Sequence, residues 1–209
     1  MEKLIHIPDG EVIMEGMLKI PPNADGIVIF VHGSGSSRFS PRNNYVADVL
    51  NDKNLGTLLI DLLSKQEDEI YLTRFDITLL SKRLNLIIQW MEKQADTKHL
   101  SIGLFGSSTG AAAALHIASI TMKKIKAVVS RGGRPDLAIS VLHKVTAPTL
   151  FIIGGNDFGV IELNEQAFQR LDCIKKFEIV PNATHLFEEP GCLEEVARLA
   201  SHWFKVHLQ

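Results

Sequence analysis

Six short runs of mostly apolar residues, rich in β-branched types, punctuate this sequence, and the chain between them switches to helical spacing. The runs are Gly26–Val31, Thr57–Ile60, Ser101–Phe105, Lys126–Val129, Thr149–Ile153 and Lys176–Val180. They are continuous rather than alternating, the pattern of strands covered on both faces, as in a parallel sheet between helices. Apolar residues at three- and four-residue spacing follow. The clearest set is Ile77, Leu80, Leu84, Ile87, Ile88 and Met91. Further helices are expected over about Arg42–Leu50, from Ser108 through Ala111–Ala114, near Ile161–Leu171, and from Leu193 to Phe204. Residues 3–20 read as an antiparallel hairpin turning near Asp9-Gly10 and ended by Pro21-Pro22. Alternating strands and helices with short joins give right-handed crossovers and a three-layer α/β/α sandwich with a mostly parallel sheet. In such sheets functional groups lie past the C-terminal ends of the strands.

Composition narrows the function classes. The 209 residues suit one domain with a full hydrophobic core. Lys and Arg number 22 against 24 Asp and Glu, so a nucleic-acid or anionic-membrane binder, which needs a basic excess, is not expected. No run approaches the roughly 18 apolar residues of a membrane span, and the start Met1-Glu2-Lys3-Leu4 lacks signal-peptide form, so a cytoplasmic protein is expected. Cys173 and Cys192 are too few for a disulfide framework or a four-cysteine zinc site and read as reduced thiols. No His/Cys/Asp/Glu cluster has ligand spacing, so neither a metal nor another cofactor is expected.

The run Ser101–Phe105 leads into Gly106-Ser107-Ser108-Thr109-Gly110, a G-x-S-x-G motif between a buried strand and an Ala-rich helix. That context is what a nucleophile elbow requires: a sharp turn exposes the Ser108 hydroxyl, and glycines let strand and helix approach. The plain structural alternative is a glycine-containing strand–helix turn. A serine hydroxyl needs a base, and the base needs an orienting acid. Asp157 follows Thr149–Ile153 in Gly154-Gly155-Asn156-Asp157, and His185 follows Lys176–Val180 in Pro181-Asn182-Ala183-Thr184-His185. Each is past a separate strand, and the order Ser108, Asp157, His185 is that of an α/β-hydrolase triad. Taken singly, Asp157 could be a turn residue and His185 a surface histidine. Asp61, after Thr57–Ile60, is a rival for the acid and reads better as lining or bracing the site.

The loop Val31-His32-Gly33-Ser34-Gly35-Ser36-Ser37 follows the first parallel strand. In this arrangement it supplies one backbone N–H to an oxyanion, and the residue after the nucleophile supplies the other. Those donors are expected to be Ser34 and Thr109, with Gly35 in place of Ser34 if the loop is tighter. Gly33-x-Gly35 is not a dinucleotide fingerprint, because Arg38 stands at the third glycine position.

These residues resemble the α/β-hydrolase superfamily, and within it the small dienelactone-hydrolase-related proteins, over about residues 10–205. The resemblance rests on the blocks His32–Ser37, Ser40–Asn43, Leu59–Leu63, Phe105–Gly110, Ser130–Asp136 and Ala183–Gly191. It implies an eight-stranded sheet whose first pairings are antiparallel, and a hydrolytic triad at Ser108, Asp157 and His185. Dienelactone hydrolases use a cysteine nucleophile, so Ser108 is a departure and the lactone activity does not carry over. Similar domains also occur joined to phosphoribosyltransferase-like domains.

The expected activity is hydrolysis of a small ester, thioester or lactone through an acyl-enzyme. A hydrolase-like binding protein without activity and an acyltransferase are the alternatives. A monomer or small homo-oligomer is expected, with a small-molecule substrate as partner. Arg131 and Arg134 flank Gly132-Gly133 past a strand end, where guanidinium forks could hold a substrate carboxylate or phosphate. Arg38, Arg42 and Arg74 lie on loops that could face the same edge. The competing reading is loop bracing by Asp61, Asp76 or Asp136. The segment from Ser130 to Pro148 is only about nineteen residues long, room for the arginine loop and a short helix near Asp136–His143, so no cap is expected over Ser108.

Overall fold

The computed structural model describes residues 1–121 and 124–209. A hairpin of β1 (Glu2–Asp9) and β2 (Val12–Lys19) turns at Gly10, which has φ 64°. Then follow β3 (Gly26–Val31), α1 (Pro41–Asp52), β4 (Leu55–Ile60), α2 (Lys65–Glu69), α3 (Tyr71–Arg74) and α4 (Ile77–Met91). After these come β5 (Ser101–Ser107), α5 (Thr109–Thr121), β6 (Ile125–Arg131), a 3-10 helical segment (Pro135–Lys144), β7 (Thr149–Gly154), α6 (Phe158–Gln169), β8 (Lys175–Val180) and α7 (Cys192–His207).

The strands form one eight-stranded sheet in the order β1-β2-β4-β3-β5-β6-β7-β8. β1–β2 and β2–β4 pair antiparallel and the remaining neighbours pair parallel. The helices divide the core in two. On one face Leu84, Ile87 and Ile88 of α4 and Ala112–Ala114 of α5 pack on Ile29, Leu58 and Leu104. On the other, Val46 and Leu50 of α1 and Val196, Ala200 and Phe204 of α7 pack on Phe30, Phe105 and Val129.

The central strands β3, β4 and β7 are buried along their whole length, as their continuous apolar runs imply. The edge strand β8 differs: only Val180 of its six residues is fully buried, and Lys175 and Lys176 stand on that open edge, where charge discourages further pairing. β5 and β6 run two residues beyond their apolar runs, through Gly106-Ser107 and Ser130-Arg131, because parallel pairing carries the ladder to the mouth of the sheet.

The pair α2–α3 is an addition to the sequence expectation. Each piece is shorter than two helical turns, so neither shows an apolar period. Ser64 and Glu67 form a reciprocal capping box that starts α2. Arg83 on α4 then holds α2 down. It is only 3% exposed, bonds both Glu67 carboxylate oxygens at 2.7 Å and the Leu62 carbonyl at 2.7 Å, and reaches Asp9 at 3.1 Å. Hydrogen bonds to Arg83 hold the Glu67 carboxyl below its usual range, while Lys82 first and then Arg83 do the same for Asp9. Among the described residues no separate cap domain covers the C-terminal edge of the sheet.

Candidate active site

The strand-to-helix turn after β5 is built by close approach. Ser108 has φ 50°, a left-handed conformation costly for a residue with a side chain. Glycine is required on either side. A Cβ on Gly106 would stand 2.4 Å from the Ala111 Cα, and one on Gly110 would stand 2.1 Å from the Val31 carbonyl oxygen. The turn is pinned from β6: the Ser108 amide donates to the Arg131 carbonyl at 3.2 Å, and the Ser108 carbonyl accepts from Arg134 at 3.0 Å. Ser108 is partly exposed at the N-terminus of the thirteen-residue α5, where the helix dipole favours negative charge.

Asp157 and His185 are brought together from β7 and β8. Asn156 donates its amide to the Ala183 carbonyl at 2.9 Å, tying the two loops. His185 Nδ1 then donates to Asp157 Oδ2 at 2.6 Å, a charge-assisted bond that leaves Nε2 available. The imidazole packs on the corner that pins Ser108: a Cβ on Gly132 would lie 3.5 Å from the His185 ring. Ser108 and His185 therefore flank the same Arg131-Gly132 corner. Among the described residues the Ser108 hydroxyl makes no hydrogen bond.

Gly33 passes over the turn with its Cβ position 3.0 Å from the Ser108 Cβ. This brings the Ser34 amide to the start of α5, where it donates to the Thr109 hydroxyl at 2.9 Å. The Thr109 amide, first in its helix, donates to nothing among the described residues. Beyond Gly35 the loop is braced by Arg38, which pairs with Asp61 and bonds Glu15 at 2.6 Å. Asp61 is thus a brace of the site. A cleft of about 390 Å³ opens beside this loop, lined by His32, Ser36, Ser37, Phe39 and Asp61 among others, with Ser108 and His185 outside its walls.

The arginines separate into two kinds. Arg134 closes on Asp136 through Nε and Nη2, at 2.9 and 2.8 Å, the loop-bracing arrangement that was its competing reading. Arg42 pairs with Glu188 and Arg74 with Asp68. Asp76, an expected brace, instead caps α4 by accepting from Leu79. Among the described residues Arg131 has no ion pair, and its Nε and Nη1 have no hydrogen-bond partner. It faces α1 with 7% exposure, and Nη2 is 3.5 Å from the Asn43 side-chain oxygen. Ser107 donates to the same Asn43 oxygen at 3.2 Å, and Phe187 of the His185 loop lies over the guanidinium at 5.8 Å. Burial, with the Arg42 charge adding to it, pushes the Arg131 pKa down to about 10. Asn43 and Ser107 were not among the sequence candidates. The available signals were their places in the resembling blocks Ser40–Asn43 and Phe105–Gly110, and Ser40-Pro41, which marks the start of α1 and so sets Asn43 in its first turn.

Among the described residues no three His, Cys, Asp or Glu side chains gather as a metal site, and no helix is long and apolar enough to cross a membrane.

An eight-stranded sheet with this order, a serine on a strained elbow and a histidine–aspartate pair past the last two strands define an α/β-hydrolase. The dienelactone hydrolase family model matches residues 14–206, and the chain belongs to that family. It is similar to the dienelactone hydrolase from Anabaena variabilis, with 53% identity and a TM-score of 0.96 over 100% of this chain and 99% of that one. It is also 50% identical over 204 residues to two Mycobacterium tuberculosis proteins, each described as a "Putative phosphoribosyl transferase". The match covers 98% of this chain and 46% of theirs, so the chain spans about half the length of those relatives. Est1E from Butyrivibrio proteoclasticus shares the fold at a TM-score of 0.84 and 16% identity, over 97% of this chain and 98% of that one.

Proposed function

We propose that this protein hydrolyses esters, thioesters or lactones through an acyl-enzyme on Ser108. The observation that carries the reading is the 2.6 Å bond from His185 Nδ1 to Asp157, which leaves Nε2 as the free base beside the elbow. Ser108 Oγ adds to the acyl carbon while its proton passes to His185 Nε2. The carbonyl oxygen takes up the negative charge at the N-terminus of α5. Collapse breaks the bond to the leaving group, which takes the proton from His185. Water then adds to the acyl carbon, again losing a proton to His185, and the acid departs as Ser108 recovers its proton. Asp157 holds the tautomer and stabilises the imidazolium.

The reading of an anionic substrate now rests on Arg131 alone, since Arg134 is occupied by Asp136. Phosphoribosyl transfer is said of the longer relatives as wholes. The part of them that aligns here aligns with a chain that the dienelactone hydrolase family model covers from residue 14 to 206, which supports hydrolysis as its activity. Acyl transfer to an acceptor other than water uses the same acyl-enzyme and would show as acceptor-dependent turnover.

The test is a panel of p-nitrophenyl esters of varied acyl length and charge, with fluorophosphonate labelling read by mass spectrometry. Turnover with labelling at Ser108, both lost in Ser108→Ala, is expected. Folded protein that is neither labelled nor active on any ester would refute the reading and favour a binding protein.

A further inference from the structure

We propose that the Thr109 side-chain hydroxyl is itself an oxyanion donor, taking the place expected of the Ser34 amide. The inference rests on the reading of Ser108 as nucleophile. The Ser34 N–H is already spent on Thr109 Oγ1 at 2.9 Å, so it is not a free donor in this structure. Thr109 is 2% exposed, and its own O–H finds no acceptor among the described residues. A hydroxyl buried at a functional turn with its donor unspent is rare, because such a group normally pays desolvation without return. Accepting from Ser34 polarises the hydroxyl and strengthens what it then donates. The backbone N–H of Thr109 is likewise unspent among the described residues, so one residue offers two unspent donors at the start of α5, where the helix dipole favours negative charge. The Ser34 amide acts through the hydroxyl: it orients the lone pair and so turns the O–H toward the elbow.

The bond goes with the close passage of Gly33, whose Cβ position is 3.0 Å from the Ser108 Cβ. The tight passage sets the Ser34 amide within reach of a short side chain that the first turn of α5 already fixes.

The test is Thr109→Val, which keeps the shape and removes the hydroxyl, beside Thr109→Ser, which keeps the hydroxyl. Ser34 itself is an exposed residue, and circular dichroism with a urea midpoint checks that the valine variant is folded before its turnover is compared. On a neutral p-nitrophenyl ester the valine variant should lose about 10- to 100-fold in kcat with KM little changed, and the serine variant should stay within about threefold of the parent. A trifluoromethyl ketone, whose serine adduct carries the oxyanion, should bind the valine variant more weakly by a similar factor. Unchanged or faster turnover in Thr109→Val would overturn the proposal, because it would make the hydroxyl a plug whose removal frees the Ser34 amide. Fluorophosphonate labelling of Ser108 in the parent keeps the two ideas apart. If Ser108 is not labelled, the nucleophile reading fails; if it is labelled and the valine variant is unimpaired, only the Thr109 donor fails.

Discussion

Replacing Arg131 with methionine asks what a buried cation without an ion pair is for. Its folded pKa, about 10, lies below its ordinary value, so the folded chain holds the proton less tightly than the unfolded chain does. For a base this is a penalty. It is present in full at neutral pH and fades only as the pH rises through about 10 toward the unfolded value. The depression corresponds to about 3 kcal/mol. Set against it are a hydrogen bond to Asn43 at the 3.5 Å limit and a 5.8 Å approach to the Phe187 ring, together worth about 1 kcal/mol. Methionine replaces the aliphatic stem, so little packing is lost. Arg131→Met should therefore be more stable by about 1–3 kcal/mol at pH 7, a rise in Tm of roughly 2–10 °C for a chain of this length. Urea and thermal unfolding followed by circular dichroism measure it. Destabilisation beyond about 1 kcal/mol would refute the reasoning, since it would mean that the guanidinium has a stabilising partner in solution. The same variant tests the substrate reading. Loss confined to anionic esters supports an anion held by Arg131, and equal loss on neutral and anionic esters removes that role. A gain in stability joined to a loss on anionic esters is the trade expected where a cation is kept buried for function.

Arg134→Met should leave the preference between neutral and anionic esters unchanged and cost at most about 1 kcal/mol, because its ion pair with Asp136 is a partly exposed brace. Arg83→Met should destabilise by about 2–4 kcal/mol by leaving Glu67 without its buried partner, as read by urea midpoint. The pH dependence should change with it. Glu67 and Asp9 have depressed carboxyl pKa values, so they contribute stability above the ordinary carboxylate range that is lost as the pH falls below about 4.5 and through their folded values. That acid-side slope should flatten in Arg83→Met. Gly110→Ala should fail to fold or lose about 3 kcal/mol or more, since its Cβ would meet the Val31 carbonyl oxygen at 2.1 Å; a soluble variant of parental stability would contradict the close approach. Asp157→Asn should keep the fold by circular dichroism and lower kcat on a neutral ester by about 1,000-fold or more through the wrong imidazole tautomer.

How far the sequence could be read depended on how local the cause was. The G-x-S-x-G turn is a backbone requirement, and Gly106, Ser108 and Gly110 meet it by their own sterics, so the elbow is visible in one line of residues. Asp157 and His185 follow from strand order, because β7 and β8 lie side by side and their loops must meet. Arg131 and Arg134 could not be told apart in that way. A strand buried on both faces shows no alternation, so nothing in Ile125–Arg131 says which face Arg131 joins. The pairing decides it: Arg131 shares the face of Val129, toward α1 and Phe187, while Arg134 stands past the strand and meets Asp136 two residues on.

The same limit governs α2–α3 and Arg83. A charged residue set among Leu80, Leu84 and Ile87 on one stripe of α4 breaks an apolar period, and that break was the available sign of a buried ion pair. Its partner Glu67 closes the capping box with Ser64, and folding makes one carboxylate serve both as helix cap and as counter-ion. The oxyanion loop repeats the pattern. Ser34 and Thr109 were placed as two backbone donors, and the fold places them in contact, with one amide committed to one hydroxyl. Residues 75 positions apart were each assigned a role singly, and their 2.9 Å bond makes those roles depend on each other. In this chain the placing of the candidate site residues follows from strand order, whereas the division of labour proposed among them follows from which polar atoms the packing leaves without partners among the described residues.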